Sequence, residues 1–283
     1  MVYRSSTGAT LWRWLNLLLL LLGAALVLWP LAVVLLMAFT PTGVVSVGQT
    51  PLGLATGPWT LANFQQAWQQ GHFLRAFANS VGVALGVSAL QIITSALAGY
   101  ALARLQFRGR QLILLWILAT LVIPFQLLLV PIFLVLKAGH LINSYGALVL
   151  PTAANGFGIF LLRQYFLNIP PSLEEAAALD GANRLQILWH VTLPLARPAL
   201  TTLFLFTFIG EWNDLFKPLM FTTRPELQTV QLALASFQEQ FTNNWPLLMA
   251  AVVIATVPVV GLFLIGQRQF IEGIAATGIK GGG

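Results

Sequence analysis

The sequence predicts an all-α protein, a polytopic membrane helix bundle of six transmembrane helices. Three observations carry that expectation. Of 283 residues, 58% are hydrophobic and 8% charged, whereas a soluble domain carries charge on roughly a quarter of its residues. Long apolar runs recur along the chain, and at 1.5 Å per residue they can cross a hydrocarbon core about 30 Å thick. Between the runs, Lys and Arg accumulate on alternate loops, the asymmetry expected when one set of loops lies in the cytoplasm.

The first run, Leu15 to Phe39, is interrupted only by Asn16 and Pro30. It is too long for a signal-peptide core, and no small-residue cleavage pattern follows it. Further spans are expected at Ser80–Ala103, Leu112–Leu136, Tyr145–Phe166, Leu200–Phe221 and Trp245–Gly266. Pro124 and Pro131 are expected to kink the third, a distortion that neighbouring helices can accommodate. The chain therefore divides into an N-terminal segment 1–14, a first span 15–39, an outside loop 40–79, a core 80–266 containing the loop 169–198, and a tail 267–283. With the N-terminus inside, Arg4, Arg13, Arg104, Arg108, Arg110, Arg163, Arg184, Arg197, Arg268 and Lys280 lie inside, and only Arg75, Lys137, Lys217 and Arg224 outside. Six spans return the C-terminus to the same side, so both termini are expected in the cytoplasm. Two outside segments are long enough for structure of their own. Thr40–Asn79 is turn-rich, then helix-like from Leu61 to Gln70, and Thr222–Asn244 carries Arg224, Glu226 and Glu239. Each reads as a surface loop or as a docking surface for a soluble partner.

Composition also excludes function classes. Without cysteine there is no disulfide, thiolate nucleophile or Cys-ligated metal. His72, His140 and His190 are scattered and match no metal-ligand spacing. The net charge of +6 is a topology signal, and no basic stripe interleaved with stacking aromatics points to nucleic acid. No close set of His, Asp, Glu or Ser offers a nucleophile and its base, so an enzyme is not expected. An ion-driven secondary transporter, the alternative transport reading, would favour paired discontinuous helices in two related halves, and no internal repeat is evident.

The most polar long segment is Ile169–Pro198, which holds three of the eight acidic residues: Glu174, Glu175 and Asp180. Ser172 reads as an N-cap, with Glu175 completing a capping box. A short helix should follow through Ala176, Ala177, Ala178 and Leu179, with Gly181 where the exiting chain needs a left-handed residue. A second helix, roughly Arg184 to Thr192, shows Leu185, Leu188 and Trp189 at helical spacing before Pro194 ends it. The result is a helix–turn–helix elbow. Locally, a solvated connecting helix and a force-transmitting one look alike.

Glu175-Ala176-Ala177-x-x-Asp180-Gly181-Ala182, followed by Leu193-Pro194 and Pro198, resembles the EAA loop of ABC-importer permeases, the coupling helix segment that docks on the ATPase. The run Trp212-Asn213-Asp214, the residues Trp245 and Leu248-Met249-Ala250-Ala251 ahead of Pro258, and the tail Gln267-Arg268-x-Phe270-x-x-Gly273 ending at Lys280-Gly281 resemble the carbohydrate-uptake, maltose-permease-like branch, in its smaller six-span subunit. The resemblance implies the type I ABC importer transmembrane fold in a bacterial inner membrane. It implies that Glu174, Glu175, Ala176, Ala177, Asp180, Gly181, Ala182 and Pro194 serve ATPase coupling. It implies that Gln267, Arg268, Gly273 and Lys280 reach the ATPase interface. The implied partners are a second homologous permease subunit in a heterodimer, two ABC ATPase subunits and an extracytoplasmic solute-binding protein. The solute would be an oligosaccharide, polyol or glycosylated osmolyte. ATP and magnesium would sit on the partner ATPases, since this chain has no G-x-x-x-x-G-K-[ST] loop.

Charges at membrane depth need an explanation. Glu211, Asn213 and Asp214 lie about 20 Å along the fifth span from Pro198, with Lys217 beyond. An Asp214–Lys217 pair would reduce the charge cost. Alternatively Glu211, Trp212, Asn213 and Asp214, joined by Asn155 and Gln126 from neighbouring spans, line the translocation path, where amides and carboxylates hydrogen-bond hydroxyls.

Overall fold

A computed structural model of the chain describes residues 7–42, 58–241 and 244–278, and all regular structure among them is helical. The helices are α1 (Thr7–Phe39), α2 (Ala62–Gln70), α3 (Phe73–Arg104), α4 (Arg110–Thr120), α5 (Phe125–Ala138), α6 (Tyr145–Val149), α7 (Gly156–Leu167), α8 (Pro171–Leu179), α9 (Arg184–Ile187), α10 (Arg197–Trp212), α11 (Phe216–Phe221), α12 (Val230–Gln240) and α13 (Trp245–Gly278). Three helices are individually long and apolar enough to cross a membrane, and counting each bent pair as one span raises the number to six. That agrees with the six apolar runs. The chain divides into two units, residues 1–71 with 236–256 and residues 72–235 with 257–283.

In the first unit, α1 is apolar on all sides, and none of its most apolar stretch is buried. Leu20, Leu26 and Val27 are exposed, as suits a helix whose solvent is hydrocarbon. Pro30 sits inside α1 without breaking it. The helix expected at Leu61–Gln70 forms as α2. Asn63 ties it to the end of α1, its Nδ2 donating to the carbonyls of Ala38 at 2.9 Å and Thr40 at 2.7 Å. The Phe39 and Phe64 rings lie 4.9 Å apart beside that knot.

The core of the second unit is built by α3, α7, the elbow and α10. Tyr100, Leu162, Phe166, Ile187, Leu188 and Leu203 pack there, fully or almost fully buried. Two glycines permit the close approach. A Cβ on Gly99 would meet the Ile159 carbonyl at 3.2 Å, and one on Gly158 would collide with Ser95 Oγ. Small residues at such crossings let backbones approach where lipid supplies no hydrophobic driving force.

Several boundaries differ from the sequence reading. Helix α3 starts at Phe73 rather than Ser80, because Phe73, Ala76 and Asn79 find buried partners and carry the helix back into the expected loop. Asn79 Nδ2 donates to the carbonyls of Glu226 and Gln228, both at 2.8 Å, and its Oδ1 accepts from Tyr145 Oη at 2.7 Å. The third apolar run is not one kinked helix: α4 and α5 meet at 99°. Pro124 lacks an N–H and forces Ile123 out of the helical region, whereas Pro131 is absorbed inside α5. The fourth run bends by 47° before α7. The fifth stops at Trp212 and resumes at Phe216. At the end of the sixth run no break separates span from tail. Helix α13 carries the backbone of Gln267, Arg268 and Gly273 onward to Gly278, and Lys280 lies outside the described residues.

Candidate functional site

The elbow starts differently from its expected form. Pro170 is the N-cap residue of α8 and Pro171 its first helical residue, with no side-chain cap. Proline is pre-organised for that first position, so the helix begins two residues early, Ser172 falls inside it, and the capping box with Glu175 does not form. The exit is as expected. Gly181 adopts φ +88°, and the amides of Ala182 and Gly181 donate to the carbonyls of Ala177 and Ala178 at 3.0 and 3.1 Å. This double closure satisfies the last carbonyls of the helix.

The second limb carries the capping box that the first lacks. Gln186 N donates to Asn183 Oδ1 at 3.0 Å, and Asn183 N to Gln186 Oε1 at 2.8 Å. Pro194 does not end this limb. Helix α9 widens into a π-turn over Leu188–Thr192, continues through Leu193–Leu195, and bends by 81° into α10. A proline ring clashes with the carbonyl four residues back, and a local i→i+5 turn relieves that clash.

A buried carboxylate anchors the elbow. Glu174 is 5% exposed. Its Oε1 accepts from Arg104 Nε at 2.7 Å and Thr192 Oγ1 at 3.4 Å, and its Oε2 from Tyr100 Oη at 3.2 Å. Arg104 Nη2 also donates to the Ile169 carbonyl at 2.6 Å. Both limbs are thereby tied to the last turn of α3. Ala177 and Ala182 pack against the core, while Glu175, Ala176, Asp180, Gly181 and Pro194 are exposed. Leu179 is 90% exposed and Leu185 and Trp189 at least half so, which leaves apolar side chains of the elbow unpartnered. A cavity of about 410 Å³ opens in its crook, lined by Asp180, Gly181, Gln186 and His190 among others. The sequence reading missed Tyr100, Arg104 and Thr192. The available signal was Arg104 itself, a cation on the last turn of a span with a nearby acidic loop.

The polar residues of the fifth span gather where α10 breaks. Lys217 is buried, hydrogen-bonded to Glu211 Oε2 and 3.5 Å from Asp214 Oδ2. Thr152 completes the cluster, donating to Glu211 Oε1 at 3.1 Å and accepting from Lys217 Nζ at 2.8 Å. The Thr152 carbonyl accepts from Gln91 Nε2 at 2.7 Å, and Thr207 donates to Gln91 Oε1 at 2.7 Å. The expected Asp214–Lys217 pair is thus present, with Glu211 as the closer partner. Other expected members are elsewhere. Asn155 Oδ1 caps α7, accepting from Phe157 N at 2.7 Å. Gln126 is exposed on α5. Asn213 is exposed and caps its own helix, donating to the Ile209 carbonyl at 2.9 Å. Trp212 is buried against Phe208 and Phe77. Among the described residues no group of His, Asp and Glu could hold a metal ion.

Comparison with known proteins agrees with this architecture. The chain is 38% identical to the sulfoquinovosyl glycerol transport system permease protein SmoH of Agrobacterium fabrum, over 78% of this chain and 79% of that one. It is 32% identical to the arabinooligosaccharides transport system permease protein AraQ of Halalkalibacterium halodurans, over 91% and 93%. A chain from the crystal structure of a bacterial ABC transporter involved in import of the acidic polysaccharide alginate superposes with a TM-score of 0.81 at 26% identity, covering 95% of this chain and all of that one. The family model described as binding-protein-dependent transport system inner membrane component matches residues 91–274, which include the elbow, the Lys217 cluster and most of α13. This chain belongs to that family, and it is a transport component of an inner membrane rather than an enzyme.

Proposed function

We propose that the chain is one of two membrane-spanning subunits of an ATP-driven importer for a sugar or glycosylated solute, and that its elbow is the coupling segment seated on a separate ATPase subunit. The observation that carries this reading is the elbow's two-sidedness. One side is locked to α3 through Glu174 and Arg104, and the other presents Leu179, Leu185 and Trp189 unpaired. A force-transmitting part needs both, a rigid joint to the bundle and a contact face for the motor. The partners are a second permease subunit, two ATPases and an extracytoplasmic binding protein. Both termini are assigned to the cytoplasm in this reading, and the tail from Gln267 to Lys280 is assigned to the ATPase interface. The solute class rests on the relatives, named for sulfoquinovosyl glycerol, arabinooligosaccharides and alginate. In this scheme the Lys217 cluster is a lock on the broken fifth span, because its carboxylates and ammonium satisfy one another.

The test is affinity for the ATPase subunit. Leu179→Asp in the full chain is expected to weaken binding roughly 30-fold or more, the effect of removing an apolar anchor from an interface centre, with membrane insertion unchanged. Unaltered affinity would exclude the elbow as the docking element. Solute class is checked by which sugar, presented on the cognate binding protein, stimulates ATP hydrolysis by the assembled transporter.

A further inference from the structure

Two arginines outside both clusters converge on one cavity. It measures about 600 Å³, and its lining includes Arg110, Gln111, Leu112 and Leu114 of α4 and Arg163 of α7. Each guanidinium is held by one backbone carbonyl: Arg163 Nε donates to Leu102 at 3.2 Å, and Arg110 Nη1 to Leu105 at 3.3 Å. A guanidinium has five donors in a planar fork, so most donors of both forks are left without a protein partner among the described residues, on side chains that line the cavity. Among the described residues neither arginine has a carboxylate partner. Two like charges brought together without a counter-charge call for an anion.

The surroundings indicate which anion. Leu112 lines the cavity and also begins a strip with Leu115 and Trp116, all well exposed, on one face of α4. A fork pair at the end of a membrane helix with an apolar strip running away from it matches a phospholipid, with phosphate on the guanidiniums and an acyl chain along the strip. We propose that this cavity binds the phosphate headgroup of an anionic membrane lipid. The site goes beyond the importer reading and does not depend on the ATPase or the solute.

The test uses the full chain in its assembled transporter, with lipid retention measured by native mass spectrometry against phosphatidylglycerol, phosphatidylcholine and inorganic phosphate. The wild type is expected to retain phosphatidylglycerol about tenfold better than phosphatidylcholine. Arg110→Gln with Arg163→Gln should bring that preference to near unity, whereas Arg108→Gln, which removes an equal charge next to the cavity but not lining it, should leave it intact. Arg110→Gln alone gives up only the Leu105 contact at an exposed turn, and should lower the preference even if the double variant fails to assemble. Equal retention of the two lipids, an equal loss in Arg108→Gln, or displacement of the lipid by an equal concentration of inorganic phosphate would each overturn the proposal.

Discussion

Replacing Lys217 by methionine is expected to be among the most damaging single changes in the second unit, at a cost of about 3–5 kcal/mol, because it leaves two largely buried carboxylates without their cation. Lys217 is 2% exposed and bridges Glu211, Asp214 and Thr152. Methionine nearly preserves the volume, so little of the loss would come from packing. Thermal unfolding of the purified protein should show the drop. Combining Lys217→Met with Glu211→Gln should recover part of it, since residue 211 is then neutral and can keep its bond to Thr152, which leaves only Asp214, the more exposed of the two carboxylates, without the cation. If the single variant melts like the wild type, the cluster is not a lock on the fifth span, and a solvated lining of the translocation path becomes the better reading.

The second large effect is expected at the elbow's joint. Glu174→Ala strands Arg104 in a largely buried position, and Arg104→Ala strands Glu174, each again costing about 3–5 kcal/mol locally. The core packing of α3, α7 and α10 does not depend on this pair, so the bundle should persist while α8 loosens from α3. In reconstituted transporter, solute uptake should fall at least about tenfold while ATP hydrolysis continues, since roughly 1.4 kcal/mol of lost coupling already amounts to that factor. The double variant should be no worse than either single one, as expected for residues that act as one unit. Uptake and hydrolysis falling together would mean that the pair supports folding and not transmission.

Much of this organisation is legible in the residues. Six apolar runs agree with the six spans obtained when each bent pair of helices is counted as one, because hydrocarbon tolerates little else. Gly181 was legible because a left-handed exit has few other solutions. The capping box was placed on the wrong limb. Ser172 and Glu175 have the right spacing, but two prolines ahead of them set the helix start, and Asn183-x-x-Gln186 carried the same signal. The 99° turn at Pro124 was legible only as a kink, since its angle depends on what α4 and α5 pack against. Thr152 was invisible in sequence: a lone threonine in an apolar run gives no sign that it joins a charge cluster at residues 211–217. Asn155 and Gln126 were expected beside that cluster as polar residues of neighbouring spans, and a place in a span does not determine which way a side chain faces.

The central claim, that the elbow meets an ATPase, has a direct test because the chain contains no cysteine. A single cysteine at Leu179, 90% exposed, can be joined by a short bifunctional thiol reagent to a cysteine on the ATPase surface of the assembled transporter. A crosslink is expected between Leu179→Cys and the ATPase, with none from a control cysteine at Leu219, exposed on α11. A Leu179→Cys that crosslinks no ATPase, yet is labelled in intact cells by a thiol reagent unable to cross the membrane, would contradict both the docking and the orientation.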